Sequence, residues 1–235
     1  MTFDLYPQAD HAPYRLEAGR DVGALLINGF TGTPRGMRPI ADALQAAGVT
    51  SVVPQLPGFG PDRARLDQVT WRDWMTPARA AWDGLQVEFG ERVLLGYSMG
   101  GAVALRLAEE LQPDRLILIA PFFKANDWRE PLIPLLRFAM PNVPFGPMGD
   151  FADPAVREHY GSWRPDLDLD DPDVQAALRA DALVPSHAIH ELKKLGAGGA
   201  ARAARIGAPA LVVQRGAHRR HARSRGERGP QARRL

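Results

Sequence analysis

The sequence predicts an α/β fold, and three observations carry that prediction. Short apolar runs bounded by glycine or proline recur along the chain, amphipathic segments of helical period lie between them, and the two kinds alternate. Alternation of this sort implies parallel neighbouring strands joined by right-handed crossovers.

The first apolar run is Gly23 to Gly29, "GALLING", which reads as a strand buried on both faces. "MRPIADALQAAG" follows as a helix with Ile40, Ala43, Leu44 and Ala47 on one face and Gly48 as its stop. "VTSVVPQLPGFG" is a second strand running into a proline and glycine loop. From Thr70 to Phe89 the period is helical again, and Trp71, Trp74, Ala78, Trp82 and Leu85 fall on one face. That spacing assigns the tryptophans to core packing rather than to a base-stacking platform. "RVLLGYS" is a third strand, "MGGAVALRLAEEL" the helix leaving it, Asp114 to Pro121 a fourth strand and Gly207 to Gln214 a fifth.

Between the fourth and fifth strands the alternation breaks. Residues 122–203 are rich in proline, aromatic residues and aspartate, and an insertion of that size reads as a cap or lid over the site. Its apolar part, with Leu132, Ile133, Leu135, Leu136, Phe138 and Met140, is suited equally to lining an acyl-chain pocket and to packing the cap onto the core. The domain reading is therefore a core of residues 1–121 and 204–214, a cap of 122–203 and a tail of 215–235.

At 235 residues the chain can bury a sizeable core, and 45% hydrophobic with 24% charged residues is the composition of a soluble globule, not of a disordered segment. Absence of cysteine removes disulfide and thiolate chemistry. No signal-peptide core and no apolar run of membrane-spanning length occur, so a cytoplasmic location without membrane insertion is expected. The net charge of +2 conceals an asymmetry: the tail holds eight arginines and one glutamate, leaving 21 basic against 26 acidic side chains elsewhere. Basicity therefore belongs to the tail, and no nucleic-acid partner is expected of the folded part.

The chemistry concentrates at "LLGYSMGGAV". Gly96, Tyr97, Ser98, Met99 and Gly100 form G-x-S-x-G between a strand and a helix, the context in which a tight turn lifts a serine hydroxyl above the sheet. A nucleophilic Ser98 needs donors for the oxyanion of its tetrahedral intermediate. The backbone N–H of Met99 is one, and the loop "NGFTGTP" after the first strand supplies the other, with Phe30 as the best candidate.

At these residues the chain resembles a known family. "LLINGFTGTPRGMRPIADAL", "VVPQLPGFG", "GYSMGGAVAL" and "ILIAP" are together similar to the small bacterial carboxylesterases and monoacylglycerol lipases of the α/β-hydrolase superfamily, from about residue 14 to Gln214. The resemblance implies an α/β-hydrolase fold with an inserted cap and hydrolysis of carboxylic esters with short or medium acyl groups. It also implies Ser98 as nucleophile, the amides of Phe30 and Met99 as oxyanion donors, a small-molecule ester as the partner, and no cofactor or metal. Histidine usually stands in that family where this sequence has Asn28 and Phe59, and both substitutions are expected to weaken their loops.

The resemblance places the triad acid just after "ALVVQ" and the histidine a strand further on, yet "RGAHRRHARSRGERGPQARRL" holds no aspartate, no β-branched residue and no apolar run. The last strand and helix of the fold are accordingly expected to be missing, leaving Leu211, Val212 and Val213 on an open, aggregation-prone sheet edge. Asp127 is a stand-in acid. His159, His187, His190, His218 and His221 are the histidines left as bases, each read as a surface residue first, with His218 the least remote. Three origins for the tail remain: a basic arm for an anionic partner, a disordered terminus, or a reading-frame change, the last favoured because arginine, glycine, alanine and proline are what GC-rich codons yield out of frame. Two functions stay open, a serine esterase acting through a Ser98 acyl-enzyme and a hydrolase-like binding protein without turnover.

Overall fold

The structure is a computed structural model and describes residues 3–19, 21–123, 140–146, 150–214 and 231–234. Among the described residues the main sheet has seven strands in the order β1-β3-β2-β4-β5-β8-β9. These are β1 (Tyr14–Leu16), β2 (Val22–Ile27), β3 (Thr50–Val53), β4 (Glu91–Tyr97), β5 (Arg115–Ile119), β8 (Ala210–Gln214) and β9 (Gln231–Arg234). The five central strands run parallel, while β1 pairs with β3, and β9 with β8, in the antiparallel sense.

Period-2 alternation sorts the apolar side chains of these strands onto two faces, and each face is buried against different helices. Leu25, Ile27, Leu94, Leu116 and Leu118 join the larger core, which includes α3 (Trp71–Glu88) and α4 (Met99–Leu111). After the short N-terminal α1 (Gln8–His11) comes α2 (Arg38–Ala46), which Ala24, Leu26, Val53, Val93 and Leu95 face through Ala41, beside Met37 just ahead of it. The predicted face of this helix is corrected: Met37, Ile40, Ala41 and Leu44 turn inward while Ala43 and Ala47 are exposed. On α3 the tryptophan reading holds for Trp74, Ala78, Trp82 and Leu85, all fully buried, while Trp71 is half-buried beneath the Arg106 guanidinium at 4.2 Å. The start of α3 is fixed by a reciprocal cap, in which Thr70 N–H donates to Asp73 Oδ2 at 2.8 Å.

Two edge strands were not expected. The three residues of β1 are too few for their alternation to register. At the other edge the sheet does not end at β8: β9 pairs with it over Leu211↔Arg234 to Gln214↔Gln231. An exposed row of backbone N–H and C=O groups accepts any extended chain, so an arginine-rich segment without β-branched residues can still supply a strand. The expected open edge is thus corrected: β9 covers the backbone of β8 in the antiparallel sense, while Leu211 keeps 37% of its surface exposed.

Between β5 and β8 the described part of the insertion forms a two-stranded ribbon, β6 (Asn142–Pro144) against β7 (Leu183–Pro185), and four helices. The helices are α5 (Pro154–Trp163), α6 (Pro172–Asp181), α7 (Ser186–Gly196) and α8 (Gly199–Ala203). Both α5 and α6 begin with an aspartate cap followed by proline: Asp153 accepts from Ala155 N–H and Asp171 from Asp173 N–H. α7 is tied to the core by buried Glu191, which accepts from Trp71 N–H at 3.1 Å and from Lys194 Nζ at 2.6 Å. Met140 is exposed, and Leu132, Ile133, Leu135, Leu136 and Phe138 lie outside the described residues, as do residues 215–230 of the tail.

Candidate active site

β4 delivers Ser98 to a sharp bend. Its backbone sits at φ 52° and ψ −114°, and α4 starts at the next residue. A non-glycine residue held there is strained, and the strain persists only because the surroundings leave no alternative. Both flanking glycines are required by contact: a Cβ on Gly96 would lie 2.2 Å from the Gly100 carbonyl oxygen, and one on Gly100 would lie 2.1 Å from that of Ile27. The bend is pinned by Ser98 N–H donating to the Ile119 carbonyl at 2.9 Å and by Phe122 N–H donating to the Ser98 carbonyl at 2.9 Å.

Ser98 occupies the N-cap position of α4 without using its side chain as a cap. The residue is half-buried, and among the described residues nothing hydrogen-bonds its Oγ. Beside it, Tyr97 is 46% exposed.

The loop after β2 lies against the bend. A Cβ on Gly29 would come within 3.3 Å of Ser98 Cβ and 3.2 Å of Tyr97 Cδ1, so a side chain here would force its neighbours to give by a few tenths of an ångström. Buried Asn28 shapes the loop, its Nδ2 donating to the carbonyls of Gly29 at 3.0 Å and Gly32 at 2.8 Å. Gly32 N–H closes a turn onto the Gly29 carbonyl at 3.1 Å. Neither Phe30 N–H nor Met99 N–H has an acceptor among the described residues. The Phe30 ring is buried edge-on against Phe59 at 5.5 Å and against Phe145 of the insertion at 4.9 Å. Phe59 in turn stacks on Trp74 at 5.6 Å. Where the resemblance has histidines, amide hydrogen bonds at Asn28 and aromatic packing at Phe59 therefore hold these loops.

Two of the predicted bases, both among the described residues, contact groups other than Ser98. His187 Nε2 is 3.2 Å from the Val69 carbonyl, and His159 sits edge-on to Tyr160 on α5. His190 is half-buried on α7, whereas Asp127, His218 and His221 lie outside the described residues. One histidine the sequence did not single out, His11, is buried close to the β2 loop with Nδ1 2.7 Å from Thr33 Oγ1. Burial holds its imidazole below the ordinary value, and Arg164 and Arg35 push the same way against Asp10 and Asp166. Among the described residues no cluster of metal-ligating side chains occurs, and no helix is long and apolar enough to cross a membrane.

Residues 24–234 match the Alpha/beta hydrolase family. The chain belongs to that family. The match runs on to residue 234, past Gln214, where the sequence resemblance was expected to stop. This hydrolase is 33% identical over 208 residues to a thermostable monoacylglycerol lipase of Bacillus sp. (strain H-257), a span covering 88% of this chain and 74% of the relative. Among solved structures, the metagenome-derived lipolytic enzymes LipS and LipT give a TM-score of 0.64 at 25% identity, with 86% of this chain and 75% of the other covered. A soluble variant of monoglyceride lipase from Saccharomyces cerevisiae, at 20% identity and a TM-score of 0.55 over 84% of this chain and 69% of the other, shares the fold. By family the protein is an ester-type hydrolase resembling monoacylglycerol lipases.

Proposed function

We propose that this hydrolase cleaves carboxylic esters of short or medium acyl chains, monoacylglycerols among them, through an acyl-enzyme on Ser98. The observation that carries the reading is Ser98 itself, strained at φ 52°, with the N-terminus of α4 on one side and the Gly29 loop on the other. Ser98 Oγ attacks the ester carbonyl carbon and its proton passes to a base. The carbonyl oxygen becomes an anion, which the Phe30 and Met99 N–H groups stabilise, helped by the positive end of the α4 dipole. Collapse of the intermediate breaks the ester C–O bond and protonates the leaving alcohol. Water then repeats the sequence on the acyl-enzyme and releases the acid.

The insertion serves as a cap, and its Phe145, half-exposed against Phe30, supplies an apolar flank for the acyl or glyceryl part of the substrate. The base and acid are sought outside the described residues, at His218, His221 and Asp127.

The test compares hydrolysis of p-nitrophenyl butyrate by the wild-type chain and by Ser98→Ala. A loss of about a millionfold in kcat is expected where a complete triad operates, and removal of the triad in a serine protease still leaves about 10³- to 10⁴-fold over water. Equal rates in the two proteins refute Ser98 catalysis and leave the alternative of a ligand-holding hydrolase fold without turnover. Single His218→Ala and His221→Ala variants then show which of the two, if either, is the base.

A further inference from the structure

We propose that the N-terminal segment, residues 3–11, is a strap that couples the position of the insertion to the conformation of the Gly29–Thr33 loop, with Tyr6 and His11 as positioning residues. The proposal rests on the reading of the Phe30 amide as an oxyanion donor and adds what holds that amide in place.

At one end, the segment is part of the interior of the insertion. Leu5 and Tyr6 share an apolar cluster with Phe151, Val156, Tyr160, Leu169, Val174 and Leu178, all of which belong to the insertion. Tyr6 Oη donates to Asp181 Oδ2 at 2.7 Å, and Arg164, itself buried, donates through Nη1 to the Leu5 carbonyl at 2.6 Å. Arg63, from the loop after β3, closes the same junction with Nε 3.1 Å from Asp181 Oδ1 and Nη2 2.7 Å from the Leu183 carbonyl.

At the other end, His11 is 1% exposed and its Nδ1 lies 2.7 Å from Thr33 Oγ1. Thr33 is the last residue before a short 3-10 helix, whose Gly36 N–H donates back to the Thr33 carbonyl at 3.0 Å. Thr33 therefore fixes the far end of the loop that starts at Gly29, against Ser98. The two ends of the strap touch, because the Tyr6 and His11 rings meet edge-on at 5.1 Å.

Close-packed groups rearrange between discrete states instead of deforming gradually. If the insertion moves to admit substrate, Asp181 and Arg164 carry Tyr6 and Leu5 with them; the Tyr6 contact on His11 is lost, and the His11 hold on Thr33 loosens. Return of the insertion reseats the loop. The oxyanion donor is thus in position only while the insertion is down and water is excluded.

The test uses the full chain and the variants Tyr6→Phe, His11→Ala and His11→Asn, the last keeping a polar group near the position of Nδ1. Amide hydrogen exchange is followed in residues 28–36 and 164–181, together with kcat and KM for p-nitrophenyl butyrate. Tyr6→Phe, whose lost hydrogen bond lies in the insertion, is expected to speed exchange in residues 28–36 by about 3- to 30-fold. His11→Ala is expected to speed exchange in 164–181 by a comparable factor, the range found for residues that transmit coupling. With measurable turnover, kcat falls by about the same factor, KM stays within about twofold, and His11→Asn recovers most of the loss. Exchange that rises only on the substituted side, with the other segment unchanged, overturns the proposal; a glue between the two parts would behave that way. Tyr6→Phe is nearly isosteric and keeps the test valid should His11→Ala fail to fold. Failure of the esterase reading shows separately, as equal rates for wild type and Ser98→Ala, and leaves the exchange result to decide the coupling.

Discussion

Gly100 has no room for a single added carbon, since a Cβ would meet the carbonyl oxygens of Ile27 at 2.1 Å and Asn28 at 2.6 Å. Gly100→Ala must push α4 away from β2, and a loss of about 3 kcal/mol or more is expected in urea or thermal unfolding, at the top of the range for overpacking. Asn28 is the neighbouring case of polar rather than steric control. Asn28→Ala leaves the Gly32 carbonyl without its Asn28 donor and the Gly29 carbonyl with only the Gly32 N–H, and should cost about 1–3 kcal/mol in urea unfolding. His11 gives the pH dependence. Its folded-state value is depressed, so the unfolded chain binds the extra proton first, and the stability it contributes is fully present above about pH 6.5 and is lost as pH falls through the depressed value. Between pH 7 and pH 5 the wild-type Tm should drop more steeply than that of His11→Asn; parallel curves would show that the proton goes elsewhere.

Elements differ in how openly they announce themselves. α3 and α4 were legible because a long apolar stripe at helical spacing has few other interpretations, and the Trp74 and Trp82 face was assigned to the core for that reason. Trp74→Ala should cost about 3–5 kcal/mol, since it removes the surface on which Phe59 stacks and on which the Phe30 ring leans. α5 and α6 carry a signal independent of hydrophobic period, the "DP" pairs at Asp153–Pro154 and Asp171–Pro172, where an aspartate cap precedes a proline whose missing N–H costs nothing. Replacing that cap in Asp171→Ala should lower stability by about 1 kcal/mol, measurable as a shift in the urea midpoint. The inward face of α2 lies a fraction of a turn from the predicted one because alanines are equally at home on either side, so Ala43 and Ala47 do not mark it.

At the scale of the molecule, the parallel sheet brings Gly29 and Ser98 together: β2 and β4 are hydrogen-bonded neighbours, and both chains leave the sheet at the same end, Ile27 paired with Gly96. That is the place where open α/β sheets form their sites. The strand β9 matters here as well. Its pairing covers the backbone of β8, and a chain ending at Gln214 would expose that edge. Such a truncation is expected to aggregate at concentrations where the full chain remains in solution, which size-exclusion chromatography with light scattering can read. Equal elution behaviour would mean that β9 contributes nothing to solubility.

Taken alone, the sequence determined the α/β class, five strands and three helices of the core, and the bend at Ser98, because each depends on local period or on a contiguous motif whose geometry neighbouring residues dictate. It also offered Phe30 and Met99 as the oxyanion donors of the proposed mechanism, since chain order decides which loops border the bend. Tertiary structure alone decided that Asn28 and Phe59 support their loops, that His11 meets Thr33, that Tyr6 meets Asp181, and that an arginine-rich segment pairs with β8. Tyr6 and Asp181 are 175 positions apart. Nothing in the residues around either one encodes the other, because long-range pairs are selected by the folded geometry of everything between them.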